Sequence, residues 1–363
     1  MRSRQYSRRV IEQAGHIQGI PAYKPGKSVV DGWDGPVHKL SSNENPYPPL
    51  PSVIDTITQA AGNIHRYPNM AAPELTAALA ARYGVGEGEI AFGCGSVEVA
   101  AQLIRAFAGA GDEVIYAWRS FEAYPLLVRG SGATPVQVPL NSDFAHDLPA
   151  MLSAITDKTR VIFVCTPNNP TGVTVRHDDL RAFLQQVPSN ILVVIDEAYV
   201  HFQNDPEAAR GPELYREFAN VAVLHTFSKA YGLAGLRLGY AIAREPIQEG
   251  LRKVAMPFAV TDVAQAAGVA SLAAEVELQE RIDVLIAERA RVEQGLAELG
   301  WNAPASQANF IWLPAGEKTD ALQAHLNAHG VIARPFSGDG IRVSIGEPAA
   351  NDAFLAALAT FAG

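Results

Sequence analysis

Ile191-Leu192-Val193-Val194-Ile195-Asp196-Glu197-Ala198-Tyr199 carries five apolar residues straight into an aspartate, with no polar alternation. A strand with one wet face alternates, whereas a strand covered on both faces does not. The segment therefore predicts a strand inside a parallel sheet, with Asp196 at its carboxyl tip, the edge where open α/β sheets bind ligands. Six more apolar segments of strand length occupy residues 90–92, 113–116, 134–138, 160–165, 221–225 and 238–243. Helix-like stretches, such as 98–108 and 178–186, lie between them. Strand and helix in alternation predict an α/β fold: a large domain built on a mainly parallel seven-stranded sheet with helices on both faces.

The pattern changes after about residue 245. Leu278, Ile282, Leu285, Val292, Leu296 and Leu299 recur at helical spacing, and Gly300 stands where it would end that helix. Short strands over 309–313, 331–334 and 340–345 and a last helix from Asp352 complete a smaller α+β domain. The expected division is an N-terminal arm with part of the small domain over 1–35, the large domain over 36–245, and an interdomain helix with the small C-terminal domain over 246–363.

The 363 residues are 48% hydrophobic and 18% charged, the composition of a folded globular chain. Two cysteines, Cys94 and Cys165, are too few for a disulfide scaffold, and both end apolar runs as small core residues would. A net charge of −9 argues against nucleic acid as a partner, and no apolar run has the length of a membrane helix. The N-terminus is basic (Arg2, Arg4, Arg8, Arg9) but has no apolar core, so a secretory signal is not expected and a cytoplasmic location is.

Four short motifs carry chemistry. In Thr226-Phe227-Ser228-Lys229-Ala230-Tyr231-Gly232-Leu233-Ala234-Gly235-Leu236-Arg237, a lysine follows a buried strand between hydroxyl donors and an arginine. An amine can form an imine with an aldehyde cofactor, while hydroxyls and a guanidinium suit its phosphate. Asp196 is a carboxylate at a buried strand tip and needs a cation opposite it, which a protonated pyridine nitrogen supplies. Tyr199 is three residues further on. Asn168-Asn169-Pro170-Thr171-Gly172 has turn composition, yet it sets two amides at the end of another buried strand, with Asn169 suited to a phenolate oxygen. Gly93-Cys94-Gly95-Ser96-Val97-Glu98 joins a strand to a helix through small residues, a geometry that lets helix N–H groups approach an anion. Each motif alone has a plain structural explanation. Phosphate cradle, ring-oxygen donor, ring-nitrogen partner, imine lysine and phosphate arginine in one chain order do not.

The set resembles the fold-type I pyridoxal-phosphate aminotransferases, in the branch holding the histidinol-phosphate and aromatic aminotransferases. The resemblance runs from about Ile20 to the C-terminus and is most specific in NNPTG (168–172), DEAY (196–199) and TFSKAYGLAGLRLGY (226–240). Within the branch, KLSSNENPYPPLP (39–51), RYP (66–68) and WRSFEAYP (118–125) resemble the actinobacterial-type aromatic, or phenylalanine, enzymes. The resemblance implies pyridoxal 5'-phosphate as cofactor, held by Lys229 as a Schiff base, with Lys229 then moving the substrate's Cα proton. It implies Asp196 on the ring nitrogen, Asn169 and Tyr199 on the phenolic oxygen, and Phe121 stacked on the ring. Gly95, Ser96, Val97, Thr226, Ser228 and Arg237 would hold the phosphate, joined by Tyr67 from the other subunit of a homodimer. Arg342 would clamp the substrate carboxylate, with Asn43 in the same pocket, Arg334 as a second cation and Tyr23 closing over substrate.

Four positions depart from the family pattern: Pro48, Val97, Phe121 and Thr261-Asp262. None touches the imine chemistry, so they bear on substrate rather than on reaction class. The expected reaction is amino transfer between phenylalanine, tyrosine or similar amino acids and a 2-oxo acid such as 2-oxoglutarate. Histidinol-phosphate transamination is the alternative on the same residues. A decarboxylase or lyase would use the same cofactor, and a cofactor-binding regulator would need a basic DNA-binding extension that the sequence does not contain.

Overall fold

The computed structural model describes residues 11–23 and 33–362. Its centre is a seven-stranded sheet of β1 (Ile90–Cys94), β2 (Glu113–Trp118), β3 (Thr134–Pro139), β4 (Thr159–Cys165), β5 (Leu192–Asp196), β6 (Val221–Thr226) and β7 (Leu238–Ile242). The spatial order is β1-β7-β6-β5-β4-β2-β3. Only β7 runs against its neighbours. Every residue of β5, β6 and β7 is buried, as the unalternating apolar runs predict.

Register places the chemistry at one edge. Cys165 pairs with Asp196 and Asp196 with Leu224, so the carboxyl ends of β4, β5 and β6 lie level. Because β7 is antiparallel, its amino end sits at that same edge, with Thr226 paired to Gly239. Arg237, just before β7, thus arrives beside loops that leave the other strands.

The long helix spans Glu275–Glu298 and buries Leu278, Ile282, Leu285, Val292 and Leu296. Leu299, expected on that stripe, instead follows the helix and is 38% exposed. Gly300, at φ 78°, takes the left-handed conformation that ends the turn. Arg289 is buried on the same face, donating to the carbonyls of Phe202 and Ala308 at 2.8 and 3.0 Å. Helical periodicity of apolar residues gives no sign of it. Thr261 caps the preceding helix (Asp262–Ala273) by accepting from the Ala264 N–H at 3.2 Å, which gives that departure a structural role.

Three strands form a second, antiparallel sheet: β8 (Phe310–Leu313), β9 (Arg334–Phe336) and β10 (Gly340–Ser344), in the order β9-β10-β8. The strand expected over 331–334 is in fact two. Val331–Ile332 pairs in parallel with His38–Lys39, and a fresh strand begins at Arg334 on the sheet edge, where Pro335 costs no ladder bond. The last helix starts at Pro348, not Asp352, since proline at the first helical turn leaves no N–H unsatisfied.

Candidate active site

The loops at the carboxyl edge of the large sheet and one face of the small sheet enclose a single cavity. Its lining includes Tyr23, Asn43, Ser96, Val97, Phe121, Asn169, Asp196, Tyr199, Thr226, Ser228, Lys229, Arg237, Arg334 and Arg342. Residues far apart in the chain are therefore brought together.

Asp196 ends β5 and is 5% exposed. Its Oδ2 accepts from Tyr124 Oη at 2.5 Å and its Oδ1 from the Ala198 N–H at 3.2 Å. Burial pushes the carboxyl up to about 6, against the opposing pull of the Tyr124 hydrogen bond, the Ala198 N–H and the charge of His225. His225 is itself paired with Glu197 at 2.8 Å behind the strand tip. A carboxylate this costly to ionise, opening onto a cavity, fits a cationic ring nitrogen facing it.

Tyr124, in the WRSFEAYP segment, does not line the cavity. It is fully buried, packed on Phe163 at 4.7 Å, and lies behind two residues that line the cavity, edge-on to Phe121 at 5.5 Å and hydrogen-bonded to Asp196.

Lys229 follows β6 and its Nζ donates to the Ser42 carbonyl at 3.3 Å. Burial, then the charges of Arg342 and Arg237, lower the amine to about 7, with Glu44 pulling the other way. Such an amine is about half neutral near pH 7, and the neutral form is the one able to attack an aldehyde. Tyr199 Oη accepts from Asn43 Nδ2 at 3.1 Å and from Asn169 Nδ2 at 3.3 Å, with its ring edge-on to Phe310. Two amide donors aimed at one oxygen fix the phenol that faces the cavity.

The cradle is defined by closeness. A Cβ on Gly95 (φ 79°) would meet Arg237 Nη2, and one on Gly239 would meet the backbone of Ser96. Arg237 Nη1 donates to Ser228 Oγ at 3.4 Å and Nη2 to the Cys94 carbonyl at 3.3 Å. Ser96 opens the helix Ser96–Phe107, whose first N–H groups need acceptors. Guanidinium, hydroxyls and helix terminus converge as a phosphate requires.

Arg342 donates to Asn169 Oδ1 at 2.6 Å and to the Ser41 carbonyl at 2.7 Å, both neutral oxygens. Its Nε, fully buried, has no hydrogen-bond partner among the described residues. Arg334 is engaged by the Glu122 carboxylate at 2.9 Å. Tyr67 is 81% exposed, packed at a tilt against Phe258 at 4.6 Å, and does not line the cavity of its own chain. Tyr23 lines the cavity while 53% exposed, and the expected continuation of its segment, Lys24-Pro25-Gly26, lies outside the described residues.

Sequence reasoning missed Ser41, Ser42, Glu44, Glu122, Ala198 and Ala234 in the lining, and took Cys165 for core although it also borders the cavity. Asn168, adjacent to Asn169, turns the other way, accepting from Ser120 Oγ at 2.8 Å and donating to Thr171 Oγ1 at 3.0 Å. It holds the loop that carries Phe121. Residue type alone could not tell the two asparagines apart.

The family model for aminotransferase class I and II matches residues 36–358. The chain belongs to the class I and II aminotransferases. It is a pyridoxal-phosphate-dependent transaminase of that family, with the cofactor expected from its motifs. An aromatic amino acid aminotransferase of Streptomyces coelicolor is 58% identical over 340 residues, 93% of this chain and 94% of that one. One of Thermobifida fusca is 53% identical over 345 residues, 95% and 96% of the two chains. Among solved structures, the histidinol-phosphate aminotransferase of Sinorhizobium meliloti in complex with pyridoxal-5'-phosphate superposes with a TM-score of 0.83 at 29% identity. It covers 89% of this aminotransferase and 90% of its own chain. No helix among the described residues is long and apolar enough to cross a membrane.

Proposed function

We propose that this aminotransferase moves an amino group between an aromatic amino acid, such as phenylalanine or tyrosine, and a 2-oxo acid such as 2-oxoglutarate. The observation that carries the reading is the asymmetry of the two cavity arginines. Among the described residues Arg342 meets only neutral oxygens, whereas Arg334 is already held by a carboxylate. One uncompensated guanidinium matches one α-carboxylate. The names of the relatives at 53% and 58% identity point the same way.

Bound pyridoxal 5'-phosphate supplies an aldehyde that condenses with amines and a ring that withdraws electrons while its nitrogen is protonated. In this reading Asp196 holds that proton on the ring nitrogen. Asn169 and Tyr199 donate to the phenolic oxygen, and Phe121 covers the ring face. Gly95, Ser96, Val97, Thr226, Ser228 and Arg237 hold the phosphate, with Tyr67 reaching in from a second copy in a homodimer. Lys229 moves the proton at the substrate's Cα, a task that its lowered basicity near pH 7 suits. Arg342 and Asn43 fix the α-carboxylate end, and Tyr23 closes the mouth. The division into an arm over 1–35, a cofactor domain over 36–245 and a C-terminal unit over 246–363, and a cytoplasmic location, belong to the same proposal. Initial rates with phenylalanine, tyrosine and histidinol phosphate, each with 2-oxoglutarate as acceptor, test it.

A further inference from the structure

Arg334 and Arg342 stand directly opposite each other on neighbouring antiparallel strands, and both line the cavity. Residues so paired leave the same face of a sheet. Arg334 is engaged through two donors: Nε to Glu122 Oε2 at 3.0 Å and Nη2 to Glu122 Oε1 at 3.1 Å. The two side chains are 14% and 29% exposed, so the pair is partly desolvated yet still in touch with water. Glu122 directly follows Phe121 on the loop after β2, so one turn supplies the cavity with both a ring and this carboxylate.

The two substrates proposed above differ at the end away from Cα. One ends in a flat apolar ring and the other in a second carboxylate. A permanently uncompensated cation on that wall would favour the diacid and penalise burial of the ring, while an apolar wall would do the reverse.

We propose that Glu122 is a specificity-determining residue that neutralises Arg334 while an aromatic side chain is bound and gives Arg334 up to the distal carboxylate of a 2-oxo diacid. The inference rests on the aromatic reading. The exchange replaces one bidentate carboxylate on Arg334 with another, and Glu122, part exposed, turns to water rather than being stranded. Diacid binding therefore always competes with Glu122, and ring binding does not.

Removing the Glu122 charge should release that competition. Arg334 relieved of the Glu122 carboxylate would also attract an aromatic face, but a charge-assisted bidentate pair gains more than a cation–π contact, so the balance moves toward the diacid. The test uses holoenzyme and follows each half-reaction separately by absorbance, with phenylalanine on one side and 2-oxoglutarate on the other. Binding of two unreactive analogues, glutarate and 3-phenylpropanoate, is measured in parallel by calorimetry. Glu122→Gln should raise the ratio of kcat/KM for 2-oxoglutarate over phenylalanine by at least about fivefold, with the glutarate-to-phenylpropanoate affinity ratio rising alike. Arg334→Gln should lower both ratios by at least about tenfold. If Glu122→Gln does not fold, Glu122→Asp, which retracts the carboxylate, should shift the ratios in the same direction.

Ratios that stay put or fall in the Glu122 variants, with wild type turning over phenylalanine, overturn the role of Glu122 and leave the aromatic reading standing. A wild-type enzyme that rejects phenylalanine in its half-reaction overturns that reading, and this inference with it.

Discussion

Tyr124 donates a 2.5 Å hydrogen bond to the Asp196 carboxylate from a position with no solvent exposure. The bond favours the ionised acid, against burial that pushes it up to about 6. Only the ionised acid can hold a proton on a ring nitrogen.

Tyr124→Phe removes the donor while keeping the ring on Phe163. The carboxyl should then rise further, moving the acid limb of kcat/KM to higher pH. Turnover near pH 6 should fall by about tenfold and recover partly at pH 8, since a hydrogen bond to a charged group is worth about 1.5–3 kcal/mol. Asp196→Asn should retain cofactor yet lose several orders of magnitude in rate at every pH, roughly 4 kcal/mol or more of transition-state stabilisation. A pH-independent loss in Tyr124→Phe would mean that Tyr124 acts through packing alone.

Lys229 offers a second pH test. Its amine sits near 7 because burial and the charges of Arg342 and Arg237 disfavour the protonated form. Capture of pyridoxal 5'-phosphate by cofactor-free protein needs the neutral amine, so the loading rate should climb through about pH 7 and level off above it. Arg342→Met deletes a neighbouring cation, so the protonated form becomes easier and the midpoint should move to higher pH. Lys229→Ala should show neither the visible absorption band nor turnover. Full activity in that variant would remove Lys229 from the mechanism.

Asn43 is one such pocket residue whose role is visible only in three dimensions. It adopts φ 53°, donates to Tyr199 and accepts from Ser344 Oγ at 3.0 Å. Asn43→Ala should cost roughly 1–2 kcal/mol of stability, from a left-handed residue without its side-chain bonds and a buried hydroxyl partner left short. Thermal or urea unfolding measures it. A neutral outcome would mean that Asn169 alone satisfies Tyr199.

The strands and their motifs were legible because burial on both faces writes itself as unbroken Val, Ile and Phe. Asp196, Lys229 and Arg237 are legible for a related reason, as charged residues at the ends of such runs. Glu122, Tyr124 and Asn168 were not. Their roles depend on which way each side chain turns: Glu122 toward Arg334, Tyr124 under Asp196, Asn168 back toward Ser120. Spacing along a loop carries no period from which direction could be read. The break between Val331–Ile332 and β9 was hidden likewise, because partners distant in sequence decide it.

Tyr67 and Phe258 pack against each other while 81% and 43% exposed, a pairing of large apolar surface that water does not favour. With Tyr67 assigned to a neighbouring copy's phosphate, the enzyme should sediment as a dimer or a multiple of one. Tyr67→Ala should weaken cofactor retention by about tenfold, the loss of one hydrogen bond to a charged group. A fully active monomer would refute the assignment.

The last expectation concerns substrate. The cavity offers Phe121 and Tyr23 as rings and Arg342 as a guanidinium on neutral partners, against Arg334 committed to Glu122. Phenylalanine presents one apolar ring and one carboxylate, which this arrangement matches without stranding a charge. Histidinol phosphate has no carboxylate to occupy Arg342 and carries a dianion that must compete with Glu122 for Arg334. Desolvating that dianion beside an existing carboxylate is unfavourable. Phenylalanine or tyrosine should therefore have the higher kcat/KM by at least about tenfold, roughly 1.4 kcal/mol of differential transition-state binding. Side-by-side initial rates with 2-oxoglutarate decide the matter, and equal or better turnover of histidinol phosphate would show that Arg334 leaves Glu122 for a phosphate more readily than the pairing implies.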